Sequence, residues 1–230
     1  MIDIIDVTLR DGGHAVKFDW PLDMAQRYYQ IVSSISDIKL IELGYWGQTT
    51  KSSNMFYDLN LDRVKCVTGE SNRNNVSVMI DYHYCSKDFS KYPNSDQNEV
   101  SMIRVCSRKT DIDDALVFAQ NLKNGCLDFG ENSEYFKRCV KILNDSGIKA
   151  GMHLHDHSGK AYYNYRMLES VGFTSTDAST RGMGKGVGNL KMEHIISKGS
   201  INDLLDFVYL HETLLTMRES PFGLITAKNS

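Results

Sequence analysis

Residues 2–14 read IDIIDVTLRDGGH, an apolar run that ends in a charged pair, Arg10-Asp11, and a glycine turn at Gly12-Gly13. Residues 2–9 therefore predict a strand whose carboxyl end carries the charge. The pattern recurs down the chain. Pro21 suits a first helical position, and Ala25, Tyr28, Ile31, Val32 and Ile35 follow at helical spacing. Residues 38–45 (IKLIELGY), 76–84 and 102–107 predict further strands, mostly apolar as buried parallel strands are. Helical spacing returns over 112–122 and over 136–143, the latter closed by Gly147. Residues 148–155 predict a strand, 160–171 a helix, 173–179 a short strand, and 201–217 a closing helix with Ser200 and Asp203 as a capping box. Strands alternating with amphipathic helices define an α/β class with a parallel sheet. A (β/α)8 barrel and an open doubly wound sheet both fit that alternation.

A chain of 230 residues with 41% hydrophobic content predicts one domain over 1–230. Lys and Arg number 26 against 29 Asp and Glu, a net charge of -3 that provides no basic field for nucleic acid or an anionic membrane. A small-molecule partner is expected instead. Five cysteines, at 66, 85, 106, 126 and 139, are odd in number and lack CxxC spacing, which predicts reduced thiols and a cytoplasmic setting. No basic n-region with an apolar stretch opens the sequence, and no run approaches the ~20 apolar residues that span a bilayer.

Three segments carry chemistry. In His153-Leu154-His155, a strand would point two imidazoles to one face, where they either bind one ion or serve as hydrogen-bonded polar residues. Asp11, at the carboxyl end of the first strand, is either the hard oxygen ligand that joins them or half of a surface ion pair with Arg10. Residues 181–189 (RGMGKGVGN) alternate glycines that allow backbone amides close to an anion or substrate. Their GxGxGxG spacing matches neither a dinucleotide fingerprint nor a P-loop.

Asp6 to Gly12 (DVTLRDG), Ile41 to Gly44 (IELG), Gly151 to His155 (GMHLH) and Gly182 to Asn189 (GMGKGVGN) fall in this order along nearly the whole chain. Together they resemble the DRE-TIM metallolyase superfamily, which contains hydroxymethylglutaryl-CoA lyase, isopropylmalate and citramalate synthases and, closest in the first motif, 4-hydroxy-2-oxovalerate aldolase. The resemblance implies a (β/α)8 TIM barrel with its site at the C-terminal face. It also implies a divalent ion, Mn2+ foremost with Mg2+, Co2+ or Zn2+ as alternatives, held by Asp11, His153 and His155. Arg10 would polarise a carbonyl or enolate oxygen, and His14 would move the proton of a substrate hydroxyl. Glu42, Gly188 and Asn189 carry over as residues around substrate or metal, with Glu42 equally readable as an interior carboxylate paired with Arg10 or Arg104. Tyr45, Trp46, Asp81, Arg104 and Asp177 lie near strand ends, where a structural role is expected.

The activity implied is an aldolase or lyase reaction through the pyruvate-type enolate of a 2-oxo acid, with an aldehyde as the second substrate. A Claisen-type acyl-CoA synthase and a non-catalytic metal-binding relative are the alternatives. A homo-oligomer or an aldehyde dehydrogenase partner is the assembly implied. Two departures stand out. Only about forty residues separate Ser107 from Ile148, too few for two helix-strand units of ~30 residues. One unit is therefore expected to be missing before the HxH strand, with residues 124–133 retaining the end of a strand. The motif also runs on to His157, which would share the ligand side if the strand persisted, close enough to compete for the ion or support it. Residues 222–230 resemble the start of a C-terminal extension cut short.

Overall fold

A computed structural model describes residues 2–48, 54–69, 74–93, 99–122, 125–128, 140, 141, 145, 150–197, 201–211 and 215. The strands are β1 (Asp3–Asp6), β2 (Ile38–Tyr45), β3 (Val76–Asp81), β4 (Met102–Cys106), β5 (Gly125–Asp128), β6 (Gly151–Met152) and β7 (Ser175–Ala178). The helices are α1 (Leu22–Val32), α2 (Leu61–Thr68), α3 (Ile112–Asn121), α4 (Ala161–Val171) and α5 (Asn202–Leu210). All strand pairs are parallel, in the order β5-β4-β3-β2-β1-β7-β6. Among the described residues that order is a (β/α)8 barrel with seven of its strands: β5 pairs with β4, β6 with β7, and no pairing joins β5 to β6. The sheet is nevertheless curled, because Arg104 on β4 and Asp177 on β7 meet at 2.7 Å although three strands separate them in the sheet.

Strand alternation divides the apolar residues between two layers. Ile4 belongs to the large core between sheet and helices, to which α1 contributes Met24, Ala25, Tyr28, Tyr29 and Val32. Ile5, its neighbour, joins a small separate cluster with Val7 and Leu40, against which Met102 packs.

Several predicted boundaries shift. β1 stops at Asp6 rather than residue 9, since the chain turns there, with the Asp11 amide donating to the Val7 carbonyl (2.7 Å). Pro21 is the N-cap of α1 rather than its first residue. The closing helix ends at Leu210, and its N-cap is Ile201, which supplies no side-chain cap. Ser200, the predicted 136–143 helix except Val140 and Lys141, Gly147 and residues 216–230 lie outside the described residues. Among the described residues of the predicted strand 148–155, the ladder with β7 covers Gly151 and Met152.

Candidate metal centre

Asp11 lies in the turn after β1. The buried Trp20 indole pins that turn by donating to the Leu9 carbonyl (2.9 Å). A second set of bonds ties the strand end to the segment after β7: the Thr8 hydroxyl donates to Asp6 Oδ1 (2.5 Å), and the Thr180 amide donates back to Thr8 Oγ1 (2.8 Å). The Asp11 carboxylate, 3% exposed, then meets three donors: Arg10 Nη1 at 2.8 Å, Asn189 Nδ2 at 2.7 Å and the Lys185 amide at 3.3 Å. Burial would raise its pKa, but Arg10, His153, the Asn189 hydrogen bond and His14 outweigh that and hold it at about 2.

The histidines arrive differently. Past Met152 the glycine segment replaces the sheet as the partner of the chain. Leu190 donates its amide to the Leu154 carbonyl (2.9 Å), Asp156 donates to the Gly188 carbonyl (2.9 Å), and His155 forms an isolated bridge with Asn189. His155 Nδ1 lies 3.1 Å from the Gly188 carbonyl oxygen, which only accepts, so Nδ1 carries the proton and Nε2 keeps its lone pair. Burial, followed by repulsion from His153, pushes the His155 pKa down and favours this neutral, ligating form. His153 Nε2 stands 4.0 Å from Asp11 Oδ2. One donor atom each from Asp11, His153 and His155 fit within 4.8 Å of one another. A carboxylate oxygen and two imidazole nitrogens at that spacing fit one divalent cation. Two orphaned atoms adjoin the cluster: Arg10 Nη2 and Asn189 Oδ1 are buried without a hydrogen-bond partner among the described residues.

Gly184 packs so tightly that a Cβ there would sit 2.4 Å from Asp11 Oδ2 and 2.5 Å from Asn189 Nδ2. Gly188 has φ +87, and its Cβ would meet the Gly182 carbonyl oxygen at 2.4 Å. These glycines bring the Lys185 amide and the Gly188 carbonyl to the two sides of the cluster.

The other expected residues are spread around it. His14 ends a 3-10 turn over Gly12–His14, with Nε2 3.2 Å from the Tyr45 hydroxyl. Burial raises the Tyr45 pKa, so that hydroxyl stays protonated. Glu42 is fully buried and accepts from Arg10 Nε (2.5 Å) and Arg104 Nη1 (3.3 Å), which makes it the interior carboxylate. His157 is a correction. The strand does not persist, the residue opens a 3-10 turn over His157–Gly159 and is exposed, and its ring lies 5.9 Å from that of His155. Trp46 donates its indole N–H to the Lys91 carbonyl (2.9 Å), and Asp81 accepts the His83 amide (3.0 Å); both serve local structure. Asp177 and Arg104 exceed their expected role, because Asp177 Oδ2 lies 2.7 Å from His153 Nδ1 and 2.7 Å from Arg104 Nη2. A charged residue inside an otherwise apolar strand, MIRVC, was the available signal for Arg104, whereas Asp177 stands in the mostly polar STDA. Among the described residues, no helix is long and apolar enough to cross a membrane.

The fold and the strand-end cluster define the class: an incomplete (β/α)8 barrel with its candidate centre at the carboxyl ends of the strands. No protein-family model and no curated protein matches the chain. Solved structures do match. The N-terminal domain of a candidate aldolase from Bacteroides vulgatus superposes with TM-score 0.68 at 20% identity, covering 90% of this chain and 86% of that one. The carboxyl transferase domain of Rhizobium etli pyruvate carboxylase, solved with pyruvate, gives 0.65 at 13% identity over 95% of this chain, which spans only 49% of that one. A hydroxymethylglutaryl-CoA lyase from Acinetobacter baumannii, in complex with coenzyme A and 3-methylmalate, gives 0.58 at 16% identity over 94% and 91%. Hydroxymethylglutaryl-CoA lyase is among the proteins of the superfamily that the four motifs resemble. At these identities the likeness establishes a shared fold.

Proposed function

We propose that this chain is a divalent-metal-dependent lyase of the aldolase type, which makes or breaks a carbon-carbon bond through the enolate of a 2-oxo acid. The observation that carries the reading is the buried Arg10 guanidinium, with an unpartnered Nη2, immediately beside the Asp11, His153 and His155 cluster. A bound divalent ion, Mn2+ by preference, would supply a Lewis acid for an oxygen that gains negative charge. Arg10 adds a permanent positive charge whose spare N–H donates to the same developing oxyanion. Its fork is already fixed by Asp11 and Glu42, so little reorganisation is needed as charge develops. His14, its ring set by the contact between Nε2 and the Tyr45 hydroxyl, would exchange a proton with a substrate hydroxyl. The structural neighbours, a candidate aldolase, a lyase and a carboxyl transferase domain solved with pyruvate, support this chemistry.

The open edge between β5 and β6 among the described residues favours a second reading, a non-catalytic metal-binding relative. Manganese-loaded protein incubated with pyruvate in deuterated water separates the two. Enolate chemistry predicts exchange of the methyl protons by NMR, and Asp11→Ala should slow it by more than about 100-fold. Saturable ion binding with neither exchange nor cleavage of a 4-hydroxy-2-oxo acid would establish the second reading instead.

A further inference from the structure

Six side chains close a ring in the interior of the curled sheet. Arg10 donates from Nη1 to Asp11 Oδ1 (2.8 Å) and from Nε to Glu42 Oε2 (2.5 Å). Arg104 donates from Nη1 to Glu42 Oε1 (3.3 Å) and from Nη2 to Asp177 Oδ2 (2.7 Å). The same Asp177 oxygen lies 2.7 Å from His153 Nδ1, and His153 Nε2 returns to within 4.0 Å of Asp11 Oδ2. Glu42, Arg104 and Asp177 are 0%, 5% and 2% exposed, so water does not compete for these contacts. The ring takes members from β2, β4 and β7 and from the segments after β1 and β6. Its longest reach, Arg104 to Asp177, lies one strand in from each end of the sheet, β5 and β6.

Direction follows from donor chemistry. A carboxylate paired with an arginine only accepts, so the proton in the His153–Asp177 contact sits on His153 Nδ1. His153 Nε2, which faces Asp11, then keeps its lone pair. Arg104 is itself steadied by Glu42, and its planar fork serves both carboxylates at once, which a lysine ammonium does less well.

We infer that Asp177 and Arg104 are positioning residues. Asp177, clamped by Arg104, sets the tautomer and orientation of His153, and the pair braces β4 against β7 across the interior of the curled sheet. This rests on reading Asp11, His153 and His155 as ion ligands.

The test uses apo protein with 15N-labelled histidine, above about pH 8, where an ordinary histidine is neutral. Long-range 1H–15N NMR reads the tautomer of His153, assigned by comparison with His153→Gln among the 7 histidines. Calorimetric titration with Mn2+ reads affinity, and circular dichroism confirms folding. Wild type should show His153 protonated on Nδ1. Asp177→Ala should lose that single tautomer and weaken Mn2+ binding about 10- to 100-fold. Should Asp177→Ala fail to fold, Arg104→Lys carries the same test, with a smaller fall in affinity. Folded variants that keep both the wild-type tautomer and the wild-type affinity would overturn the inference and leave the pair as a brace alone. If wild type shows the stated tautomer and loses it in the variants, yet binds no Mn2+, the orienting role stands and the ion reading fails.

Discussion

The two sides of the candidate metal centre are built by opposite means. Asp11 hangs from β1, which is paired on both edges, with β2 and β7, and its turn is closed by backbone and indole hydrogen bonds. The histidines follow β6, a strand of 2 residues paired with β7 alone among the described residues. They are held by the Gly188 carbonyl, the Asn189 bridge and the Asp177 carboxylate. One candidate ligand is thus placed by sheet and turn, the other two by a glycine segment and a side chain from β7. A short strand can carry ligands when a neighbouring loop satisfies the backbone that the sheet leaves unpaired.

If that contrast is correct, the glycine segment should be the most sensitive part of the centre. Gly184→Ala places a Cβ 2.4 Å from the Asp11 carboxylate and should weaken Mn2+ binding more than about 100-fold by calorimetry, with the fold retained by circular dichroism. Binding within a few-fold of wild type would show that the segment yields easily.

The β1 side should instead report through stability. Burial raises the Asp6 pKa from 3.8 to about 7, against the hydrogen bonds from Thr8 and Tyr28. Between those values the folded state holds a proton that the unfolded chain has released. Stability from this group therefore falls as pH rises through that window, by at most about 1.4 kcal/mol per pH unit. His155 has a lowered pKa and opposes it, losing stability as pH falls below its ordinary 6.5. The difference between wild type and Asp6→Asn in urea unfolding isolates Asp6. The variant should gain on wild type as pH rises from 4 to 7; a constant difference would contradict the buried acid.

The smallest effect tests the boundary of the centre. His157→Ala should leave Mn2+ affinity within about twofold, as expected of an exposed side chain away from the ligands. A loss of tenfold would return His157 to the ion.

The strand end at Arg10-Asp11 and the apolar run of β2 were legible because hydrophobic pattern is a local property. The pairing extent of β6 was not, since His153 and His155 keep the alternation of a strand while His155 bonds to a loop 33 residues away. Arg104 and Asp177 were named only as strand-end residues, because an ion pair across 73 positions leaves no trace in local pattern.

What the amino-acid order determined alone is the α/β alternation, the glycine spacing and which residue types stand at strand ends, all set by side-chain volume, backbone freedom and periodicity. What only the tertiary structure decided is which charges meet. The curl of the sheet brings β4 to β7 and closes a ring of carboxylates, arginines and a histidine around one corner of the interior. Coulomb and hydrogen-bond energies depend on distance in space, and only folding sets that distance.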